Sequence, residues 1–296
     1  MNLNESPIVS PEALREALGD PDLHVIEVLW NAPEQGSTPG LIPGSVAVHW
    51  KGLAWHETDR TFATAEEFAE RLFALGAGEG STIVLAGEPR QFASYVVWAM
   101  WMRGIRGIGY LDGGREAWTA LGYPTADEDS HENSLRPTPA KAPIPVPALS
   151  PDEVVAAEKA VALGRDEVLS LLDDENTVIL DLRTPEEYAG ERVLGYEDGD
   201  FDHGAERKGH IPGAKHLYFK DILDEQGRFL PADQLKVLLE ERGALDAERV
   251  VTYCRLSHRA SLGWLALTQV VGMDNVRVYD GSWTEWGSIV GFPIEK

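Results

Sequence analysis

The sequence predicts an α/β fold built from two copies of one unit, each a parallel sheet with helices on both faces. Landmarks recur at a nearly constant offset. Ile42-Pro43-Gly44 returns as Ile211-Pro212-Gly213 and Gly122-Tyr123-Pro124 as Gly291-Phe292-Pro293, both 169 residues on, while Asp112-Gly113 with Trp118 returns as Asp280-Gly281 with Trp286, 168 residues on. That period is far longer than any solenoid repeat. Short β-branched runs alternate with helical patterns, as parallel sheets covered by helices require. A length of 296 residues also holds about two domains of ordinary size.

In the first copy, Val25-Ile26-Glu27-Val28 reads as a strand and matches Val178–Leu182 in the second, with Glu27 opposite Asp181. From that acid to the Ile-Pro-Gly landmark the chain runs 15 residues in the first copy and 30 in the second. The second copy is therefore the longer one, and its extra segment is expected within Gly190–Lys208, which is rich in Gly and acids. Between the copies, Pro137, Pro139, Pro143, Pro145 and Pro147 mark an extended linker. The expected division is a first domain over 1–126, a linker over 127–149 and a second domain over 150–296. Ser150-Pro151-Asp152-Glu153 opens the second domain as an N-cap, a first-turn Pro and a capping-box Glu. There, Val178–Leu182, Val250–Tyr253 and Val276–Tyr279 read as strands, and Ala232–Arg242 and Ala260–Val271 as helices. In such a fold the site lies beyond the carboxyl ends of the strands.

Charge narrows the partners. Lys and Arg number 26 against 49 Asp and Glu, and the net charge of −23 repels phosphate backbones and anionic lipid surfaces. Neither nucleic acid nor a membrane is an expected partner. No run approaches the 18 or so apolar residues of a membrane span, and Met1-Asn2-Leu3-Asn4-Glu5 lacks the basic-then-apolar order of a secretory signal, so a cytoplasmic location is expected. The single cysteine, Cys254, excludes an intramolecular disulfide, a multi-cysteine metal centre and a catalytic dithiol. Any second reactant must come from outside.

Cys254 is also placed for chemistry. It follows the strand Val250–Tyr253, and Cys254-Arg255-Leu256-Ser257-His258-Arg259 leads into the helical pattern from Ala260. Amides of a strand-to-helix loop converge on an anion, the helix end adds positive potential, and Arg255 and Arg259 add two full charges. All three favour a thiolate and a small anion beside it. A lone cysteine is more often a buried apolar residue, but two flanking arginines in such a turn argue for reactivity.

With these residues the chain resembles the tandem-domain rhodanese family. The resemblance is carried by Asp181-Leu182-Arg183, Gly209-His210-Ile211-Pro212-Gly213-Ala214, the six-residue loop Cys254 to Arg259 and Asp280-Gly281-Ser282-Trp283-Thr284-Glu285-Trp286, in that order. It covers essentially the whole chain and implies two rhodanese-like domains. It further implies a thiosulfate sulfurtransferase working by ping-pong transfer through a Cys254 persulfide, with a small anionic sulfur donor and with cyanide or a thiol, a protein thiol included, as acceptor. Arg255, Leu256, Ser257, His258 and Arg259, with Arg183, would then bind the donor, and no cofactor or metal is implied. In the first copy Gly87 falls where Cys254 lies in the second, Glu27 replaces Asp181 and Leu41 replaces His210. A catalytically silent first domain that walls the site is the expectation.

Several residues admit a plainer reading. His258 could tune the site, yet a loop histidine more often faces solvent. Ser257 either donates to the persulfide or turns the loop. Arg183 either reaches the donor or serves as an ion-pair partner, and Asp181 orders the loop by hydrogen bonds. The family often carries a further arginine four residues after Arg183, where this chain has Glu187. Asp198, Asp200 and Asp202 resemble the start of a calcium loop, but His203 and Gly209 occupy positions that need Gly and Glu, so a solvated acidic loop is expected. Trp98, Trp101, Trp118, Trp264 and Trp286 are expected in cores. The alternatives to thiosulfate transfer are 3-mercaptopyruvate sulfurtransfer and a non-enzymatic sulfur-carrying or binding role. A cysteine phosphatase would need a loop one residue longer.

Overall fold

In a computed structural model, residues 2–31, 40–126, 137–194 and 204–296 are described. The Asp198, Asp200 and Asp202 cluster, His203, part of the extra segment and the first ten residues of the linker lie outside them. The chain forms two compact units, Met1–Ala157 with Glu225–Arg228, and Glu158–Asp224 with Phe229–Lys296.

The first unit holds β1 (Ile8–Val9), β2 (Leu23–Leu29), β3 (Val46–His49), β4 (Thr82–Glu88) and β5 (Ile108–Leu111), in the order β1-β5-β4-β2-β3. The second holds β6 (Ala162–Leu163), β7 (Thr177–Asp181), β8 (Lys215–His216), β9 (Arg249–Tyr253) and β10 (Val276–Tyr279), in the order β6-β10-β9-β7-β8. Every pairing within both sheets is parallel, and the second order repeats the first strand for strand. β2 is buried along its whole length, as expected where helices cover both faces of a parallel sheet.

Register verifies the repeat. Glu27 pairs with Ala86 in the first sheet and Asp181 with Tyr253 in the second, so Gly87 and Cys254 are the next residues of equivalent strands. Outside the strands, the antiparallel bridge Leu41–Ala126 has its counterpart in His210–Glu295. The repeated tryptophans close the same turn: Trp118 donates Nε1–H to the Pro124 carbonyl at 2.7 Å and Trp286 to that of Pro293 at 2.8 Å. Each ring also meets an aromatic edge-on, Tyr123 at 5.0 Å and Phe292 at 4.9 Å. Trp98, Trp118, Trp264 and Trp286 are core residues, whereas Trp101 is half-buried beneath Arg106.

Local signals place the helices. Ser150 N–H donates to Glu153 Oε2 at 2.8 Å, and Glu153 N–H to Ser150 Oγ at 3.4 Å, the capping box that opens the helix Pro151–Val161. The described part of the Pro-rich stretch lies along the first unit, with Thr138 N–H on the Pro21 carbonyl and Ala140 N–H on that of Gly76. The helix expected from Ala260 starts two residues earlier, at His258, and after Leu265 continues as a π-helical turn over Ala266–Val271. Among the described residues, no helix is long and apolar enough to cross a membrane.

Candidate active site

β9 ends at Tyr253 and the chain turns through Cys254–Ser257 into the helix His258–Leu265. Two serines make this turn possible. Ser257 (φ 66°) and Ser282 (φ 51°) are the non-glycine residues in the left-handed region among those described, and both hold the Cys254 loop. Such backbone is costly, about 1–3 kcal/mol each, and persists where the surroundings fix it. Ser257 donates its hydroxyl to the Asp280 carbonyl, so it turns the loop and ties it to the start of the Asp-Gly landmark. Ser282 Oγ accepts the Cys254 N–H at 3.2 Å and donates to the Tyr279 carbonyl at 2.9 Å. The loop carbonyls face the same element: Trp283 N–H donates to Cys254 at 2.9 Å, and Thr284 gives its N–H and hydroxyl to Arg255 at 3.0 and 2.7 Å.

With its carbonyls engaged, the loop turns its amides the other way. Among the described residues, the N–H groups of Arg255, Leu256 and Ser257 have no protein acceptor. Cys254, which begins the loop, is buried and is a free thiol. Arg255 pairs with no carboxylate among the described residues, and its Nη1 is buried without a partner. Gly204 (φ +117°), at the end of the extra segment, lies so close that a Cβ there would sit 2.9 Å from that nitrogen. Leu256 is half-buried in the loop, and His258, expected to face solvent, is buried in the first turn of the helix. The helix begins at His258 rather than Ala260, and its first turn packs inward.

The other two arginines carry partners. Arg259 Nη1 and Nη2 donate to Glu187 Oε2 and Oε1 at 2.6 and 2.9 Å. Burial opposes the Arg259 charge, but Glu187, its hydrogen bonds and the nearby Cys254 together raise its pKa. Arg183 is wholly buried: Nε and Nη2 donate to Asp181, at 3.0 Å to Oδ1 and 2.6 Å to Oδ2, and Nη2 also to the Gly209 carbonyl at 2.7 Å. Its guanidinium lies 4.6 Å from the Trp283 ring centroid. Asp181 orders this region as expected, accepting Arg183 N–H at 2.9 Å and the Tyr253 hydroxyl at 2.5 Å, while Ile211 N–H donates to that hydroxyl at 3.2 Å.

Sequence reasoning missed Tyr253, Ser282 and Arg207. The Arg207 guanidinium donates to four carbonyls, of Trp286, Gly287, Ile289 and Phe292, and fixes the end of the chain beneath the Asp-Gly turn. The capping-box spacing Thr184-x-x-Glu187 was a visible signal for one of Glu187's tasks; its second partner lies 72 residues away.

Two parallel α/β units of one strand order, the second carrying the chain's single cysteine in the loop after β9, define a duplicated domain. A profile of the rhodanese-like domain matches residues 10–121 and 164–289, and the chain belongs to the rhodanese family, with that domain in two copies. It is 32% identical over 295 residues to "Sulfur carrier protein TtuD" of Thermus thermophilus, covering 98% of this chain and 96% of the relative. It is 33% identical over 281 residues to a Haloferax volcanii protein named "Putative thiosulfate sulfurtransferase", covering 94% and 90%. In fold it is similar to the Tum1 protein of Saccharomyces cerevisiae, with a TM-score of 0.70 at 19% identity over 97% of this chain and 95% of that one. It is also similar in fold to an anaerobic ergothioneine biosynthesis enzyme of Chlorobium limicola, at 0.72 and 22% over 99% and 71%.

Proposed function

We propose that the protein is a sulfurtransferase that takes sulfane sulfur from thiosulfate onto Cys254 and passes it to cyanide or a thiol. The observation that carries this reading is the loop that follows the single cysteine, which has, among the described residues, amides without protein acceptors, a helix N-terminus, and Arg255 with a nitrogen that has no hydrogen-bond partner. The Cys254 thiolate attacks the outer sulfur of the donor, an Sγ–S bond forms, the donor S–S bond breaks and sulfite leaves with the bonding pair. The amides then hold the terminal persulfide anion, and Arg255 balances the charge of the departing sulfite. The acceptor attacks that terminal sulfur, the Sγ–S bond breaks and the thiolate is restored.

The name of the Thermus relative favours a second destination for the same persulfide, a protein thiol that accepts the sulfur for onward delivery. Steady-state kinetics with thiosulfate and cyanide test the main reading. Parallel double-reciprocal lines, sulfite released in the absence of acceptor, and a rise in KM for thiosulfate of about tenfold in Arg255→Gln are expected from the loss of one charge-assisted hydrogen bond. Turnover with 3-mercaptopyruvate but not thiosulfate overturns the choice of donor. Full activity in Cys254→Ser overturns the mechanism.

A further inference from the structure

The pairing of Glu187 with Arg259 changes the charge that a donor meets. Arg259 stands in the first turn of the helix His258–Leu265, where the positive end of the helix dipole disfavours a cation. Both its terminal nitrogens are bound by Glu187, which is fully buried. Glu187 is itself held from a second side: Oε2 accepts the Thr184 N–H at 3.0 Å, and Glu187 N–H donates to Thr184 Oγ1 at 3.3 Å. A carboxylate fixed by a capping box and a bidentate guanidinium is anchored twice and does not swing aside when an anion enters. Among the described residues, Arg255 has no such counter-charge. Counting the described residues, the two loop arginines therefore present one uncompensated positive charge rather than two.

We propose that Glu187 determines donor specificity: by clamping Arg259 it leaves the loop with one free cation, Arg255, and so weakens the preference for doubly over singly charged donors. This rests on the sulfur-transfer reading above, and it extends to any electrophile that approaches Cys254. Thiosulfate and an arenethiosulfonate offer the same sulfane sulfur with two negative charges and one, and iodoacetate and iodoacetamide deliver the same alkyl carbon with one and none. Because Cys254 is the sole cysteine, alkylation reports on this site alone.

Full-length wild type, Glu187→Gln, Glu187→Asp, Arg255→Gln and the double variant Glu187→Gln/Arg259→Gln are compared by two ratios. One is kcat/KM for thiosulfate over arenethiosulfonate; the other is the alkylation rate of iodoacetate over iodoacetamide. In Glu187→Gln both ratios rise about tenfold, the first through KM, as one more charge-assisted contact becomes available. Glu187→Asp keeps the charge and the wild-type ratios, and the double variant, neutral at both positions, returns to them. Arg255→Gln lowers both ratios about tenfold and tests the same claim if Glu187→Gln does not fold. Ratios unchanged in Glu187→Gln or in Arg255→Gln, with all rates falling together, overturn the proposal and leave Glu187 as a structural cap. If the wild type takes sulfur from neither donor while the alkylation ratios shift as stated, the sulfur-transfer reading fails and the charge assignment stands.

Discussion

The two copies share strand order, register and turn locks, yet the loops after their equivalent strands β4 and β9 are built to opposite ends. After β9 the loop has the Cys254 and Arg255 carbonyls bonded to the Asp-Gly element, and the amides of Arg255, Leu256 and Ser257 have no protein acceptor among the described residues. At the end of β4 the chain closes on itself: a Cβ on Gly87 would lie 2.4 Å from the Arg90 carbonyl oxygen, and one on Gly114 would lie 2.5 Å from that of Gly87. Gly114 is the counterpart of Ser282, whose hydroxyl holds the Cys254 amide in the second copy. The absence of a cysteine and the closing of the chain at Gly87 therefore go together in the first unit, while the strand order is shared.

The acids beneath the loops show how the scaffold was kept. In the second copy Asp181 reaches the Ile211 amide through the Tyr253 hydroxyl. In the first, Ala86 stands opposite the acid and supplies no hydroxyl, and the longer Glu27 accepts the Ile42 N–H directly at 2.6 Å, together with the Ser45 hydroxyl at 2.7 Å. One methylene replaces a phenol. Among the described residues the one cation paired with Glu27 is Arg115, at 3.4 Å, and burial, opposed by Arg115, Ser45 and Ile42, pushes its carboxyl up to about 7.

This comparison can be broken at several points. Gly87→Cys, which restores a thiol to the first copy, is expected to take up no sulfur and to destabilise the first unit by about 3 kcal/mol, because the new Cβ strikes fixed backbone. Sulfur found on that cysteine would show that the loop opens. Glu27 makes the first unit sensitive to pH. Between its ordinary value of 4.5 and about 7 the native chain keeps a proton that the unfolded chain has lost. Stability is then fully present below the lower value and falls as pH rises to the upper, by about 3 kcal/mol in all. Urea unfolding across that range should show the slope in the wild type and its loss in Glu27→Gln; an unchanged slope refutes the assignment. Tyr253→Phe removes the hydroxyl relay and leaves the buried Ile211 amide without its acceptor, at a cost of about 2 kcal/mol by denaturant titration. Ser282→Ala keeps the left-handed backbone but drops the bond to the Cys254 amide, for about 1 kcal/mol and a slower sulfur uptake.

The fold was legible in the sequence because it rests on local signals repeated once: Ile-Pro-Gly, Asp-Gly with its Trp, and β-branched runs of matching spacing. The strand-to-helix loop that carries Cys254 and Arg255 was legible from its own local pattern, which the first copy does not repeat. What stayed hidden was pairing across long separations. Arg183, left open between donor contact and ion pair, lies buried on Asp181. Arg259, expected to face the donor, sits on Glu187 in a different segment. A capping box announces where a helix begins, but nothing in its spacing reveals what the second carboxylate oxygen binds. Tyr253 reads as an ordinary strand residue until register sets its hydroxyl beside Asp181.

The most direct test of one armed and one silent copy is the intact mass of the full chain after thiosulfate, read for the wild type, Cys254→Ser and Gly87→Cys/Cys254→Ser, before and after cyanide. The account predicts one added sulfur on the wild type, removed by cyanide, and none on either variant. Sulfur retained by Cys254→Ser, or gained by the transplanted cysteine, would contradict it.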